Sequence, residues 1–290
     1  MKVYIHSAFL DPANLTAAAR VAEAAGFDGM TVADHMIYPR VLNSGYPVPD
    51  AMWAPTDPWP DPWVTIGALA GATTTLKFAT TIYIAPMRPV MQVAKSVSTA
   101  AVLSGNRVAL GVGVGWMQEE FELVGQDFDT RGKRLDEQIE ICRLLWSGGY
   151  QEYHGDFHDF PPVSMIPAPT EQIPIWVGGD APVSLRRAAR VGDGWIGMEY
   201  SLERAEELLG QLNTCRHEAG TADRDDFEIM MGLDHVPTAD DIVHLEKLGV
   251  TALFVMPWES GAAIRQGDPG REALLRSIEE YGRTVLSAIA

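Results

Sequence analysis

Arg107-Val-Ala-Leu-Gly-Val-Gly-Val-Gly-Trp-Met-Gln-Glu-Glu120 runs from an apolar strand through three spaced glycines into what reads as the start of a helix. Side-chain-free positions let backbone N–H groups approach an anion, and a helix N-terminus behind them adds partial positive charge. What such a loop holds depends on the sheet it leaves. In a doubly wound open sheet it belongs to the first strand; in a closed barrel it is one rim loop of eight. Here three β-rich runs precede it, and the sixth position of a G-x-G-x-x-G match is Trp116.

Working outward, residues 3–6, 30–33, 78–84, 107–112, 173–177, 194–198, 227–232 and 252–256 read as strands. They alternate with helix-period stretches at 15–25, 63–73, 89–103, 131–146, 183–191, 202–218, 239–248 and 271–289. Eight strands, each followed by a helix, is the count of a (β/α)8 TIM barrel, expected here as one domain over residues 1–290. An open doubly wound sheet is the alternative. Repetition supports the barrel: the aliphatic helix ending at Gly26 and the one ending at Gly249 both stop on a glycine C-cap before a strand.

The net charge of −17 is spread along the 290 residues, which argues against a nucleic-acid or anionic-membrane footprint. Cys142 and Cys215 are far apart and lack metal-ligand spacing; Cys142 reads as a buried small hydrophobe on a helix face. Neither a signal-peptide core nor a membrane-length apolar run occurs, so a cytoplasmic location is expected.

Two connections break the rhythm: the Pro-rich residues 36–62, after strand two, and residues 148–170, before strand five. Both read as insertions. The first leaves the C-terminal rim, where its Tyr46, Trp53 and Trp59 could roof a pocket; the second is either a surface loop or a lid.

A barrel predicts functional residues at strand C-termini. Strand one ends at His6-Ser7, strand two at Asp34-His35, and strand three at Ile84-Ala-Pro-Met-Arg88. Strands four and five end in glycine loops, the second being Val177-Gly-Gly-Asp-Ala-Pro182, with Asp180 a plausible N-cap and Pro182 in a first turn. Strand six ends at Glu199, strand seven at Asp234-His235 and strand eight at Trp258-Glu259. Facing glycine loops on adjacent strands suit a phosphate, although each could be only a tight turn. His6, Asp34, His35, Asp234 and His235 could instead surround a metal in a TIM-barrel hydrolase, but the strand-one His-x-His of such enzymes is missing.

Several stretches carry a more specific likeness: Thr80-Thr-Ile-Tyr-Ile-Ala-Pro-Met-Arg88, Leu103 to Phe121, Arg131-Gly-Lys-Arg-Leu-Asp-Glu137, Pro174-Ile-Trp-Val-Gly-Gly179 and Ala188-Ala-Arg-Val-Gly-Asp-Gly-Trp195. In this order the chain resembles the bacterial luciferase-like superfamily, and within it the coenzyme F420-dependent oxidoreductase branch. The resemblance implies a barrel with a deazaflavin, or alternatively FMN, at its C-terminal mouth. Gly113, Val114, Gly115, Trp116, Gly178, Gly179 and Asp180 would hold its phosphate and tail, with Asp34-His35 near the ring or its side chain. A strand-three bulge, often with a non-prolyl cis peptide, would back the ring and maps to Thr81-Ile82. Sugar-phosphate dehydrogenases of this family place a catalytic glutamate directly after the glycine run; Trp116 stands there instead, which speaks against glucose-6-phosphate as substrate. Glu119 and Glu120 read as first-turn helix acids.

The implied reaction is hydride transfer between the deazaflavin C5 and a small carbonyl or unsaturated, apolar substrate. His35 is the first candidate proton donor, beside Asp34, with His6 second. FMN would imply monooxygenation, and a non-catalytic flavin-binding barrel would imply no turnover. A homodimer is expected by family analogy alone.

Overall fold

The computed structural model describes residues 1–45, 54–258 and 269–289. Its strands are β1 (Lys2–His6), β2 (Gly29–Val32), β3 (Lys77–Thr80), β4 (Val108–Val112), β5 (Tyr150–His154), β6 (Asp159–Ser164), β7 (Ile175–Gly178), β8 (Gly194–Tyr200), β9 (Glu228–Leu233) and β10 (Ala252–Val255). All but β5 and β6 pair in parallel in chain order, and β10 closes onto β1. The register continues across that seam: Tyr4 faces Phe254 on one side and Gly29 on the other. The sheet is the closed barrel of a (β/α)8 fold rather than an open one.

Around it lie α1 (Pro12–Ala24), α2 (Pro62–Ala72), α3 (Val90–Ser104), α4 (Gln118–Leu123), α5 (Arg131–Trp146), α6 (Pro182–Val191), α7 (Leu202–Ala219), α8 (Ala239–Lys247) and α9 (Arg271–Tyr281). Asp11-Pro12 and Asp61-Pro62 start α1 and α2 in the same way: the aspartate side chain accepts from first-turn N–H groups and proline takes the first helical position. After α1 and α8, Gly26 (φ 90°) and Gly249 (φ 91°) adopt the left-handed turn expected of the repeated glycine stops. Among the described residues, no helix is long and apolar enough to cross a membrane.

Alternation along each strand separates two cores. One set of side chains packs outward against the helices. The other fills the barrel, where Tyr4 and Trp176 meet Ala79, Ala109 and Ala252, with Ile196, Met230 and Phe254 beside them. Large and small residues thus interdigitate at the axis. Two residues further along these strands the same inward parity gives His6, Thr81, Gly178 and Met198, and these line a cavity at the barrel mouth.

The structure corrects several boundaries. β3 ends at Thr80 rather than at residue 84, and the sheet continues only as a bridge between Tyr83 and Val112; the Thr81-Ile82 peptide between them is cis, as the resemblance implied. Trp116 lies before the helix, which starts at Gln118 and is six residues long. The closing helix passes through a π turn at Gly282–Leu286. The connection at 148–170, an insertion expected to be a surface loop or a lid, holds an antiparallel hairpin of β5 and β6. Its tip is pinned to α5, where the Glu137 carboxylate accepts from the backbone N–H groups of Asp156, Phe157 and His158. No hairpin residue is among the described lining of the mouth cavity.

Candidate active site

The mouth cavity measures about 270 Å³. It receives His6 after β1, Asp34 and His35 after β2, and Thr81 and Ile82 after β3. Gly113, Val114, Gly115 and Trp116 enter from the loop after β4, and Gly178, Gly179 and Asp180 from the loop after β7. The residues expected to hold the cofactor, with His6, Asp34 and His35, therefore line one space, floored by Ile196 and Phe254 from the barrel core. Phe9, Trp59, Ser184, Met198, Glu199 and Met256 complete much of the wall. Tyr46, Trp53 and Glu259 lie outside the described residues.

Asp34 is buried and both of its oxygens are engaged. Arg88, also buried, grips it through two bonds of 2.7 and 2.8 Å, and the Ile84 N–H donates to it at 2.8 Å. Burial pushes the Asp34 carboxyl up while Arg88 opposes that shift, and the charge of Asp34 in turn raises Arg88 against its own burial. The guanidinium also stacks over the Tyr83 ring, 4.2 Å from its centroid, and the Arg88 carbonyl accepts from Gln138 on α5. This fork-to-fork pair ties the end of β2 to the loop after β3. Asp34 thus braces the wall of the cavity, an occupation different from the proton chemistry suggested by its place beside His35.

His35 has a separate partner. Its Nδ1 lies 2.9 Å from Oε2 of Glu120, a carboxylate with no exposed surface. The other oxygen of Glu120 accepts from the Met36 N–H at 2.7 Å and the Ile37 N–H at 3.3 Å. The adjacent Glu119 does the same further along the connection, accepting from the Asn43 and Ser44 N–H groups. These two residues do sit in the first turn of α4, but their side chains tether the connection after β2. The His35 ring meets the edges of Trp59 and Trp116, with centroids 4.8 and 5.8 Å away.

His6 sits with Nδ1 at 2.8 Å from the Thr31 hydroxyl and 3.2 Å from that of Thr81. Beyond Thr81, the Ile82 side chain occupies a notch made by two glycines. A Cβ at Gly113 would come within 2.5 Å of Ile82, and one at Gly178 within 2.4 Å. At Gly111 a Cβ would lie 1.9 Å from the Thr80 carbonyl oxygen. Packing alone therefore accounts for glycine at these positions of the first loop, and the six-residue α4 adds little dipole to it.

The second loop has more to offer an anion. Gly179 takes φ 109°, and its carbonyl is held by the buried Trp195 indole N–H at 2.8 Å. Pro182 opens α6 as expected, but the N-cap is Ala181 and no side chain caps the helix. Asp180 is not the cap; it lies 3.9 Å from Arg204 at the half-exposed rim. Gly179, Asp180 and Ser184, at the start of α6, thus form a polar corner of the cavity. No lysine or arginine is among the described lining residues. Aromatic and aliphatic walls fit a flat ring system, and the Gly178-Gly179 backbone with Ser184 is the part of the lining suited to a phosphate.

The five residues considered for a metal do not assemble. Asp34 pairs with Arg88, His35 with Glu120 and His6 with two hydroxyls, while His235 bonds to Asp234 and Asp241 beside a separate, much smaller cavity. Among the described residues no three His, Cys, Asp or Glu side chains are placed to hold a metal ion. Sequence reasoning did not find the roles of Arg88 and Glu120, because each partner lies more than 50 residues away in the chain.

Residues 3–280 match the family model described as luciferase-like monooxygenase. An uncharacterized protein of Mycobacterium tuberculosis is 40% identical over 281 residues, covering 93% of this chain and 94% of the relative. An F420-dependent glucose-6-phosphate dehydrogenase of Microbacterium testaceum is 30% identical over 234 residues, 78% of this chain and 65% of that protein. A monooxygenase of Streptomyces bottropensis shares the fold over the full length of both chains with a TM-score of 0.77 at 19% identity. The proteins it resembles thus include an F420-dependent dehydrogenase and a monooxygenase, and the match over nearly its whole length places the chain in the luciferase-like monooxygenase family.

Proposed function

We propose that the protein is a coenzyme F420-dependent oxidoreductase acting on a small, uncharged, apolar carbonyl or unsaturated compound. Kinship with F420-dependent dehydrogenases supports the cofactor. The observation that carries the substrate class is the lining, whose mostly aromatic and aliphatic walls offer few side-chain partners to the hydroxyl groups of a sugar. Trp116 occupies the place of the acid that sugar-phosphate dehydrogenases of the family use.

Ile82, Val114 and the Gly113 and Gly178 backbones would bear on the cofactor ring, and Gly179, Ser184 and the α6 terminus on its phosphate. Bound there, the deazaflavin supplies hydride chemistry at C5. The chain itself orients the substrate between Trp59 and Trp116, keeps water from the reacting carbon, and supplies the proton that balances the hydride. His35 is assigned as that donor and His6 as the second candidate.

Fluorescence titration with F420 and with FMN tests the reading. Micromolar binding of F420 supports it. Binding of FMN alone makes the protein a flavin monooxygenase of the same family, and binding of neither overturns the assignment.

A further inference from the structure

We infer that Glu120 is a positioning residue for His35, fixing which ring nitrogen carries the proton. The inference deepens the function proposed above and rests on it only for turnover; the ring geometry stands by itself. A carboxylate can only accept. With Glu120 Oε2 2.9 Å from Nδ1, the neutral ring must carry its hydrogen on Nδ1, which assigns acid–base exchange to Nε2. When Nε2 passes a proton to the substrate, the ring returns to the Nδ1–H form and keeps its bond to Glu120. The atoms balance without Glu120 being protonated.

Three features set this pair apart from an incidental contact. Glu120 is fully buried, so its bond to His35 is not in competition with water. Its second oxygen is fixed by two backbone N–H groups, from Met36 and Ile37, which orient the carboxylate before the ring meets it. Those groups are the residues directly after His35, so the same side chain holds the ring and the backbone that carries it.

Glu120→Gln separates the two jobs. The Met36 and Ile37 N–H groups keep the amide oxygen on their side, which turns the amide N–H2 toward His35. Nδ1 must then accept, and the neutral ring moves its hydrogen to Nε2. Long-range 1H–15N correlation spectra of the unliganded protein report the tautomer directly, with the His35 signals identified by their loss in His35→Ala. The expected result is Nδ1–H in the wild type and Nε2–H in Glu120→Gln. An Nε2–H ring in the wild type overturns the inference even if the variant does not fold, as does an unchanged ring in a folded variant.

Turnover provides the second arm, using whichever cofactor binds and 2-cyclohexen-1-one as probe. Glu120→Gln is expected to lower kcat about 100-fold or more with cofactor affinity little changed, the size of a lost acid–base function. In a His35→Ala background the same substitution should have no further effect, whereas additive losses would show a role independent of His35 and contradict the inference. If neither cofactor binds, the functional reading fails while the tautomer result still stands or falls alone.

Discussion

The chain carries the same dipeptide at two strand ends, and the structure treats them differently. Asp34-His35 after β2 is enclosed: the aspartate pairs with buried Arg88 and the histidine with buried Glu120, and both line the mouth cavity. Asp234-His235 after β9 is half-exposed, and its histidine bonds to its own neighbour and to Asp241, the acid of the capping box that starts α8. The first pair is held by residues distant in sequence, the second by residues no more than six positions away. A strand-end Asp-His therefore marks a site when its partners are remote and buried, and a cap when they are local.

The largest effect that would break this contrast is on stability. Arg88→Met leaves the Asp34 carboxylate buried and unpaired, and urea unfolding should show a loss of about 3–5 kcal/mol. Asp234→Asn should cost under about 1 kcal/mol, as exposed pairs do. Equal losses would erase the distinction. Next is turnover: His35→Ala should lower kcat by about 10²–10⁴-fold with cofactor affinity nearly unchanged, and His235→Ala should leave kcat alone. At the cavity wall, Trp116→Ala should raise KM for an apolar substrate about tenfold, the equivalent of roughly 1.4 kcal/mol of lost apolar burial.

The smallest effect is a pH dependence. The Asp234 and Asp241 carboxylates raise the His235 pKa above its ordinary value of 6.5, with Asp234 the larger cause. A raised folded pKa stabilises the fold fully below the unfolded value and loses that contribution as pH rises through the folded one. With the ring 40% exposed, the contribution should stay under about 1 kcal/mol. Unfolding of wild type and His235→Asn at about pH 5.5 and about pH 8.5 should show the gap closing at the higher pH, and a gap that widens there would reverse the assignment.

Much of the barrel was legible in the sequence because its determinants are local. Periodicity located every barrel strand and its helix, with Arg131–Trp146 matching residue for residue. The glycine stops at Gly26 and Gly249 are also local chemistry. The failures were tertiary. The cis peptide at Thr81-Ile82 is where the family resemblance placed it, but β3 ends at Thr80, short of the residue 84 that strand propensity suggested, and Gly111 and Gly113 answer to Thr80 and Ile82. The hairpin at 150–164 was hidden because its exposed strands lack the apolar alternation of a buried sheet. At the site, the strand-end rule gathered the lining residues, but it could not say that Asp34 would be taken by Arg88 or that Glu120 would hold His35.

The most direct test of the account is an anaerobic assay in which reduced F420 is mixed with the protein and 2-cyclohexen-1-one and the return of oxidised-cofactor absorbance is followed. Wild type and His235→Ala should both oxidise the cofactor with turnover, while His35→Ala binds it and turns over at least about 100-fold more slowly. Oxidation at the same rate in His35→Ala would contradict the assignment of the proton donor, and no oxidation by wild-type protein that has bound reduced F420 and a range of apolar carbonyl or unsaturated compounds would contradict the proposed reaction.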